Sequence, residues 1–487
     1  MASTISSIGQ QGFGSGGNLE ARFVHPDDLR TTFALALSQM YRNEVPLYGD
    51  LIRIVQGVNA KVLSNPEGAS KSVDSLERLT LERHGAIRLG TPEELRTVRR
   101  TFALLGMQAV GYYDLSVAGL PMHATCFRPT STSSLARNPF RVFTTLLRPE
   151  LVRSDKAREL ASQLLARRRI FTQELIETLE IAESQDSLLQ PRQAEVFIRE
   201  ALKTFSWQPI AAATHTEYQV LKAEHPILAD IACFQTAHIN HLTPRTLDIT
   251  AAQTAMAEAG MAVKDRIEGP PPRDCPILLR QTSFLALEES IQFKCREEND
   301  QELVDGSHKA RFGEIEERGA AVTPAGRVLY DQLLHDAMAD ADGLTPEAVD
   351  SIIVKTFQRY PDSWKELRKQ GLVYSEYRCT GKAFNSATVK DGASDPEIIE
   401  KLIDEGVIEA VPITYEDFLP FSAAGIFQSN LQTSKSGKGT VEQDVRRPTP
   451  DQAGLEQALG CAVLDSDDLY SLAQRGSLNT CAMKLRS

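Results

Sequence analysis

Two histidines stand seven residues ahead of matching helix caps: His84 before Thr91 in RHGAIRLGTPEE, and His241 before Asp248 in HLTPRTLDITAA. Each is followed four residues later by an arginine, Arg88 or Arg245. Equal spacing puts the two imidazoles at corresponding places on corresponding strands. If the two units pack about a pseudo-two-fold axis, both rings enter one cavity. A metal held there needs an anionic third ligand, and RFGEIEERG (311–319) supplies candidates in Glu314 and Glu316, which share one face of a strand. The plainer alternatives are weighty, since alternating carboxylates on a strand ordinarily face water. A single histidine among the nine is ordinarily structural or exposed. His238, also in HINH, competes with His241, but its spacing to Asp248 is wider. Two histidines and one carboxylate leave coordination positions open, the arrangement of non-haem Fe(II) oxygenases. Zinc on the same ligands activates water instead, so ligand types alone leave the metal open.

Arg88 shares the strand face of His84 at roughly 13 Å along the strand. Its planar fork suits the far carboxylate of a short dicarboxylic acid whose other end meets the metal. The ordinary alternative is a salt bridge to Glu93 or Glu94. Arg245 reads as structural. Arg280 and Gln281, in LLRQTSF, fall on a strand expected to line the same cavity.

The elements that position these residues are legible from local signals. His84, Ala86 and Arg88 alternate with Gly85, Ile87 and Leu89, as a strand requires. Thr91 caps a helix with proline at its first position and glutamates in its first turn, and Gly106 closes it. Asp248 and Gly260 play the same parts in the second unit. The first strand–helix–strands unit is expected over 81–130 and the second over 225–320. Strands of the second are predicted at 236–242, 262–267, 277–286 and 311–318. Helix is expected over 26–63, over most of 136–205, and again over 323–370. The chain divides into a disordered tail (1–22) and a single catalytic unit (23–431), with a mainly helical insertion at 131–224 and a C-terminal part at 321–431. An exposed loop (432–452) and a helical tail (453–487) follow.

The chain has 487 residues, 42% hydrophobic and 24% charged, the balance of a globular protein with a sizeable core. A net charge of -12 argues against nucleic acid or an anionic membrane as partner. No run approaches the ~20 apolar residues of a membrane span. The N-terminal stretch lacks the apolar core of a secretory signal, and its serines leave organelle targeting open. Seven scattered cysteines without a CxxC read as free thiols, which places the chain in the cytoplasm or another reducing compartment.

The stretches RHGAIRLGT, MQAVGYYDLSVAGLPMHATCFRP, LARNPFRVFTTLLRPEL, HINHLTPRTLDI, RFGEIEERG and FLPFSAAGIFQSNL together resemble the 2-oxoadipate dioxygenase/decarboxylase family. The likeness runs from about Val24 to the C-terminus. It implies an α+β fold similar to the vicinal oxygen chelate proteins: duplicated βαβββ units form a half-barrel around a metal site, with added helical segments. It implies an Fe(2+)-dependent oxidoreductase that turns 2-oxoadipate and O2 into D-2-hydroxyglutarate and CO2 in lysine breakdown. The family's metal ligands carry over onto His84, His241 and a glutamate of FGEIEER. The similar FxEIxxR strand end of related dioxygenases selects Glu314 over Glu316. The family's substrate arginine carries over onto Arg88. Two other classes remain to be weighed, a metal-dependent hydrolase or isomerase on the same fold and a non-catalytic protein that binds a small acid.

Overall fold

The computed structural model describes residues 23–65, 76–295, 303–341, 344–382, 396–419 and 449–486. The expected tail at 1–22, the FSAAGIFQSN stretch and most of the loop expected at 432–452 lie outside these residues. Among the described residues, no helix is long and apolar enough to cross a membrane.

Nine strands build the region around the two histidines: β1 (Arg83–Leu89), β2 (Gln108–Asp114), β3 (Met122–Arg128), β4 (Arg141–Leu147), β5 (His241–Pro244), β6 (Leu279–Ser283), β7 (Glu289–Lys294), β8 (Leu303–His308) and β9 (Glu314–Arg318). A five-stranded sheet runs in the order β2-β3-β4-β1-β5, with β1 parallel to β4 and antiparallel to β5. The first unit is therefore βαβββ, its helix Pro92–Leu104 lying between β1 and β2.

The second unit repeats this topology in abbreviated form. β5 is bridged in parallel to β9 through Arg245 and Glu316, and Thr246 N donates to Glu316 O at 2.7 Å. β9 pairs antiparallel with β6. β6 is bridged antiparallel to the preceding segment at Val263–Phe284 and Glu268–Gln281. The strand expected at 262–267 is reduced to those bridges, beside the prolines at 270–272 that cannot donate to a ladder. The α+β class thus comes with two like units joined edge to edge through β1 and β5.

That joint has a centre. His84 pairs with Thr243 and Ala86 with His241, so a two-fold axis between Gly85 and Leu242 exchanges the two histidines. Gly85 suits the place sterically. A Cβ there would stand 2.5 Å from Ile239 Cδ1 and 3.3 Å from the His241 carbonyl oxygen.

The helix caps form as expected. Thr91 Oγ1 accepts from Glu94 N at 3.2 Å while Glu94 Oε2 accepts from Thr91 N at 3.3 Å, a reciprocal capping box. Asp248 Oδ1 accepts from Ala251 N at 2.9 Å. Gly106 and Gly260 close their helices at φ +67° and +79°, where a side chain would be strained.

Two expectations differ from the structure. The helix expected over 26–63 is two helices, Pro26–Glu44 and Pro46–Ser64. Pro46 has no N–H to give and drives Val45 off helical dihedrals, to φ -125° and ψ 87°. β4 interrupts the segment read as mostly helical. RVFTTLL is rich in β-branched and aromatic residues, and its place between β1 and β3 buries all of it. Apolar cores lie on both faces of this sheet: Ala86, Met122 and Phe143 contribute to one, Ile87, Phe127 and Val142 to the other. Coverage of both faces explains why β3 and β4 lack polar alternation.

Candidate metal centre

His84 on β1, His241 at the start of β5 and Glu314 at the start of β9 converge. One possible ligand atom of each lies within 4.8 Å of the others, and all three side chains are buried. The imidazole planes are nearly perpendicular, at 87° with centroids 5.3 Å apart. Phe418 meets His84 edge-on at 4.9 Å, and Phe312 stacks on His241 at 4.8 Å. These aromatic walls exclude water from the cluster.

Hydrogen-bond logic assigns an orientation to each ring. Glu314 Oε1 accepts from Thr243 Oγ1 and Gln281 Nε2, each at 2.9 Å. A threonine hydroxyl that donates to Glu314 must accept from His241 Nδ1, 3.0 Å away. The His241 proton is then on Nδ1 and the lone pair on Nε2. On the other ring, Nδ1 of His84 lies 2.9 Å from Glu316 Oε2 while Nε2 lies 3.0 Å from Glu314 Oε1. His84 thus sets Nε2 toward Glu314 and Nδ1 toward Glu316, while His241 sets Nδ1 toward Thr243 and keeps Nε2 as its free nitrogen.

The donor set fits a cation. His241 Nε2 and Glu314 Oε2 are buried without a hydrogen-bond partner. Each bare polar group of this kind ordinarily costs about 1–3 kcal/mol, a penalty that a shared cation removes.

The electrostatics set the two rings apart. Burial alone would lower the His84 pKa, but Glu316 and then Glu314 hold it above the ordinary histidine value. Burial pushes His241 down to about 4, so that ring is neutral and its lone pair available. Burial works against ionisation of Glu314, yet His241, His84 and the Thr243 hydroxyl keep it below the ordinary value.

Glu314 and Glu316 of FGEIEER have separate places. Glu314 lies with the histidine pair. Glu316 lies behind His84, paired with Arg318 Nε and Nη2 at 2.8 Å each. Neither faces water, since both are 0% exposed. The two histidines of HINH also part company. His238 belongs to a second buried group with Asp230 and His308, one of two such clusters among the described residues.

Arg88 pairs not with Glu93 or Glu94 but with Asp230, Nη1 to Oδ2 at 2.6 Å. Arg245 pairs with Glu82 at 3.2 Å, and Arg280 with Glu317 at 3.3 Å. Of the two residues expected from LLRQTSF, Gln281 therefore reaches the cluster and Arg280 turns away. Asp230 lies in no stretch that the sequence singles out, and Thr243 and Phe418, though within HINHLTPRTLDI and FLPFSAAGIFQSNL, are not distinguished there as site residues. No local pattern marks them, because each meets its partner across the fold.

The family model described as 2-oxoadipate dioxygenase/decarboxylase matches residues 33–430. A 2-oxoadipate dioxygenase/decarboxylase from Shigella flexneri is 48% identical over 468 residues, 95% of this chain and 100% of that one. Its namesake from Pseudomonas putida is 46% identical over 471 residues, 95% of this chain and 98% of that one. The crystal structure of the Pseudomonas putida hydroxyglutarate synthase in complex with 2-oxoadipate superposes with a TM-score of 0.83 at 44% identity, covering 96% of this chain and 100% of that one.

Proposed function

The chain belongs to the 2-oxoadipate dioxygenase/decarboxylase family, and on that premise we propose that it converts 2-oxoadipate and O2 to D-2-hydroxyglutarate and CO2 with Fe(II) held by His84, His241 and Glu314. A six-carbon oxo diacid plus O2 gives a five-carbon hydroxy diacid plus one CO2, with every carbon and oxygen accounted for. The product's carbon count suits a step in lysine catabolism.

The observation that carries this reading is the buried cluster itself. Two imidazoles and one carboxylate meet there, with unpartnered lone pairs on His241 Nε2 and Glu314 Oε2. Iron, when bound, supplies the activation of O2 and of the 2-oxo acid, which no side chain can provide.

The chain's own residues do the rest. His84 and His241 are fixed by Glu316 and Thr243 before anything binds, so little reorganisation is needed at the centre. Gln281 and Thr243 hold Glu314 by its Oε1 and keep it from rotating. Phe312 and Phe418 keep the surroundings poor in water. Arg88, two residues beyond Ala86 on the His84 face of β1, offers a cation to the substrate's far carboxylate.

The test is oxygen uptake by the full-length protein, loaded with Fe(II) without air, on addition of 2-oxoadipate. The product is then resolved by chiral chromatography. Uptake matched by D-2-hydroxyglutarate is expected. Bound 2-oxoadipate with no uptake would remove the dioxygenase reading in favour of a binding protein. Turnover without O2 on zinc or manganese would favour the hydrolase or isomerase.

A further inference from the structure

Behind Arg88 lies the second buried cluster, built from three separate elements. Asp230 sits on the helix Pro226–Ala232, His238 in the segment leading to β5, and His308 at the end of β8. All of its donors point at one carboxylate. Arg88 Nη1 reaches Asp230 Oδ2 at 2.6 Å, and Asn240 Nδ2 reaches the same oxygen at 3.5 Å. His308 Nε2 and His238 Nε2 lie 2.8 and 3.1 Å from Oδ1. Tyr218 OH, 2.9 Å from His308 Nδ1, donates to that nitrogen when His308 carries its proton on Nε2. Trp207 and Phe234 pack around both imidazoles.

A metal also suits three such ligands by number. Against it, Asp230 already has a guanidinium in contact, so its charge is met. The two imidazoles stand close to the other oxygen of that carboxylate, at 2.8 and 3.1 Å. Asp230, with Arg88 as its leading attraction, is held ionised against the effect of burial, and burial holds His238 below the ordinary histidine value. The cluster is therefore an ion pair with His308, His238 and Asn240 packed against its carboxylate.

We propose that Asp230 is a positioning residue for Arg88, and that its buttress of His238, His308 and Tyr218 sets the chain length of the dicarboxylic substrate. The inference rests on the assignment of Arg88 to the substrate's far carboxylate. An arginine side chain has four rotatable bonds and loses about 2 kcal/mol of rotamer freedom when fixed. Anchoring one nitrogen to a rigid carboxylate meets that cost at folding, so the guanidinium is already aimed when substrate arrives. A fixed cation at a fixed distance from the metal also discriminates between diacids that differ by one methylene. A mobile one follows the shorter acid and discriminates less.

The experiment compares iron-loaded, full-length Asp230→Asn, Arg88→Ala and the double variant. It reads KM and kcat with 2-oxoadipate and with the five-carbon 2-oxo diacid, alongside iron content and Tm. Asp230→Asn is expected to raise KM for 2-oxoadipate roughly tenfold, to change kcat less than roughly threefold, and to leave iron content intact. Its preference for the six-carbon over the five-carbon acid should shrink. In the Arg88→Ala background the same change should add nothing further, because the two residues act as one unit.

A KM unchanged or lowered in Asp230→Asn, with Arg88→Ala raised, would overturn the positioning role and make Asp230 a bystander or a competitor. Full additivity would overturn it too. An unchanged KM in Arg88→Ala would instead remove the underlying assignment of Arg88. If Asp230→Asn does not fold, His308→Gln keeps the carboxylate and removes one buttress. It should raise KM roughly threefold with a reduced chain-length ratio, and wild-type values for both would overturn the proposal.

Discussion

Replacing Glu316 by glutamine tests the orientation assigned to His84. The wild-type carboxylate faces two ways, toward His84 Nδ1 at 2.9 Å and toward Arg318 through two contacts of 2.8 Å. Glutamine fills the same space with one acceptor and one donor. Oε2 accepts from Arg318 Nη2 as well as facing His84 Nδ1, and Oε1 accepts from Arg318 Nε, so either orientation of the amide sets its N–H2 against one guanidinium arm. The orientation under test is the one with N–H2 at the Oε2 place, which also turns a donor on His84. His84 Nδ1 must then accept, its proton moves to Nε2, and the nitrogen that faces the cluster loses its lone pair. Outer-shell partners of metal-bound histidines are typically worth 10–100-fold in affinity, about 1.4–2.7 kcal/mol. A tautomer reversal belongs at the upper end of that range. The fold should survive, because Arg318 Nη1 still donates to the carbonyls of Tyr415 and Asp417 at 2.7 and 3.0 Å. The loss of stability should stay below the ~3–5 kcal/mol of a buried pair broken outright. The assay is anaerobic competition for Fe(II), and separately Co(II), against a chelator of known affinity, with circular dichroism as a check on folding. An affinity within roughly threefold of wild type in a folded variant would refute the tautomer argument.

Glu314→Gln should bind Fe(II) far more weakly than Glu316→Gln, because it removes an anionic ligand rather than its support; equal losses by metal analysis would reverse the two roles. Gly85→Ala should turn the buried Ile239 side chain aside and crowd the β5 backbone, since its Cβ meets Ile239 Cδ1 at 2.5 Å and the His241 carbonyl oxygen at 3.3 Å. It should weaken metal binding and lower Tm together, and a Tm drop with unchanged metal affinity would show that the histidine pair tolerates the shift. Acid should destabilise the metal-free protein through His241, which burial holds neutral down to about 4 in the folded chain against an ordinary 6.5. The unfolded chain then binds the extra proton as pH falls from 6.5 toward 4, and stability falls with it by about 3 kcal/mol at most. His84 works in the opposite sense, contributing stability below its raised pKa that is lost at higher pH. Metal-free His241→Gln should accordingly show a shallower decline of Tm across that window, and parallel curves would count against the assignment.

Local signals carry much of this fold, and where they fail the cause is a contact made far away in sequence. Thr91, Asp248, Gly106 and Gly260 are legible because a cap is decided within four residues. The matched spacing from those caps is enough to favour His241 over His238 on sequence grounds alone. β4 is not legible: RVFTTLL lies in an arginine-rich, helix-like stretch, and only its pairing with both β1 and β3 makes it a strand. β7 and β8 are hidden for the same reason, each being the other's partner. At the site, Glu314 and Glu316 of FGEIEER look alike because they share a strand face. Arg318 on one side and the histidine pair on the other distinguish them, and both are tertiary facts. The partners of Arg88 are beyond reach altogether, since Asp230 and His308 come from elements that carry no motif.

The duplication is symmetric in its histidines and helix caps and asymmetric in what lies opposite Ala86 and Thr243, and that asymmetry has a testable purpose. In the first unit, Ala86 pairs with Phe143 across β1 and β4. In the second, Arg245 is bridged to Glu316, so the same register sets Thr243 opposite Glu314. Phe143 thus occupies the place that Glu314 holds in the other half. A strictly repeated unit would have brought a second carboxylate to the centre and closed it. Phe143 instead packs on Phe418 at 5.4 Å and leaves that side apolar, without a carboxylate or imidazole of the cluster among the described residues. Phe143→Glu should therefore restore the missing carboxylate. Burying it without a metal costs several kcal/mol, so the metal-free variant should be much less stable than wild type. Metal should recover that loss, and the gain in Tm on adding Fe(II) should exceed the wild-type gain. Oxygen uptake should vanish because the open side is filled. A gain in Tm no larger than that of wild type would mean that Phe143 does not face the metal, and that the open side of the centre lies elsewhere.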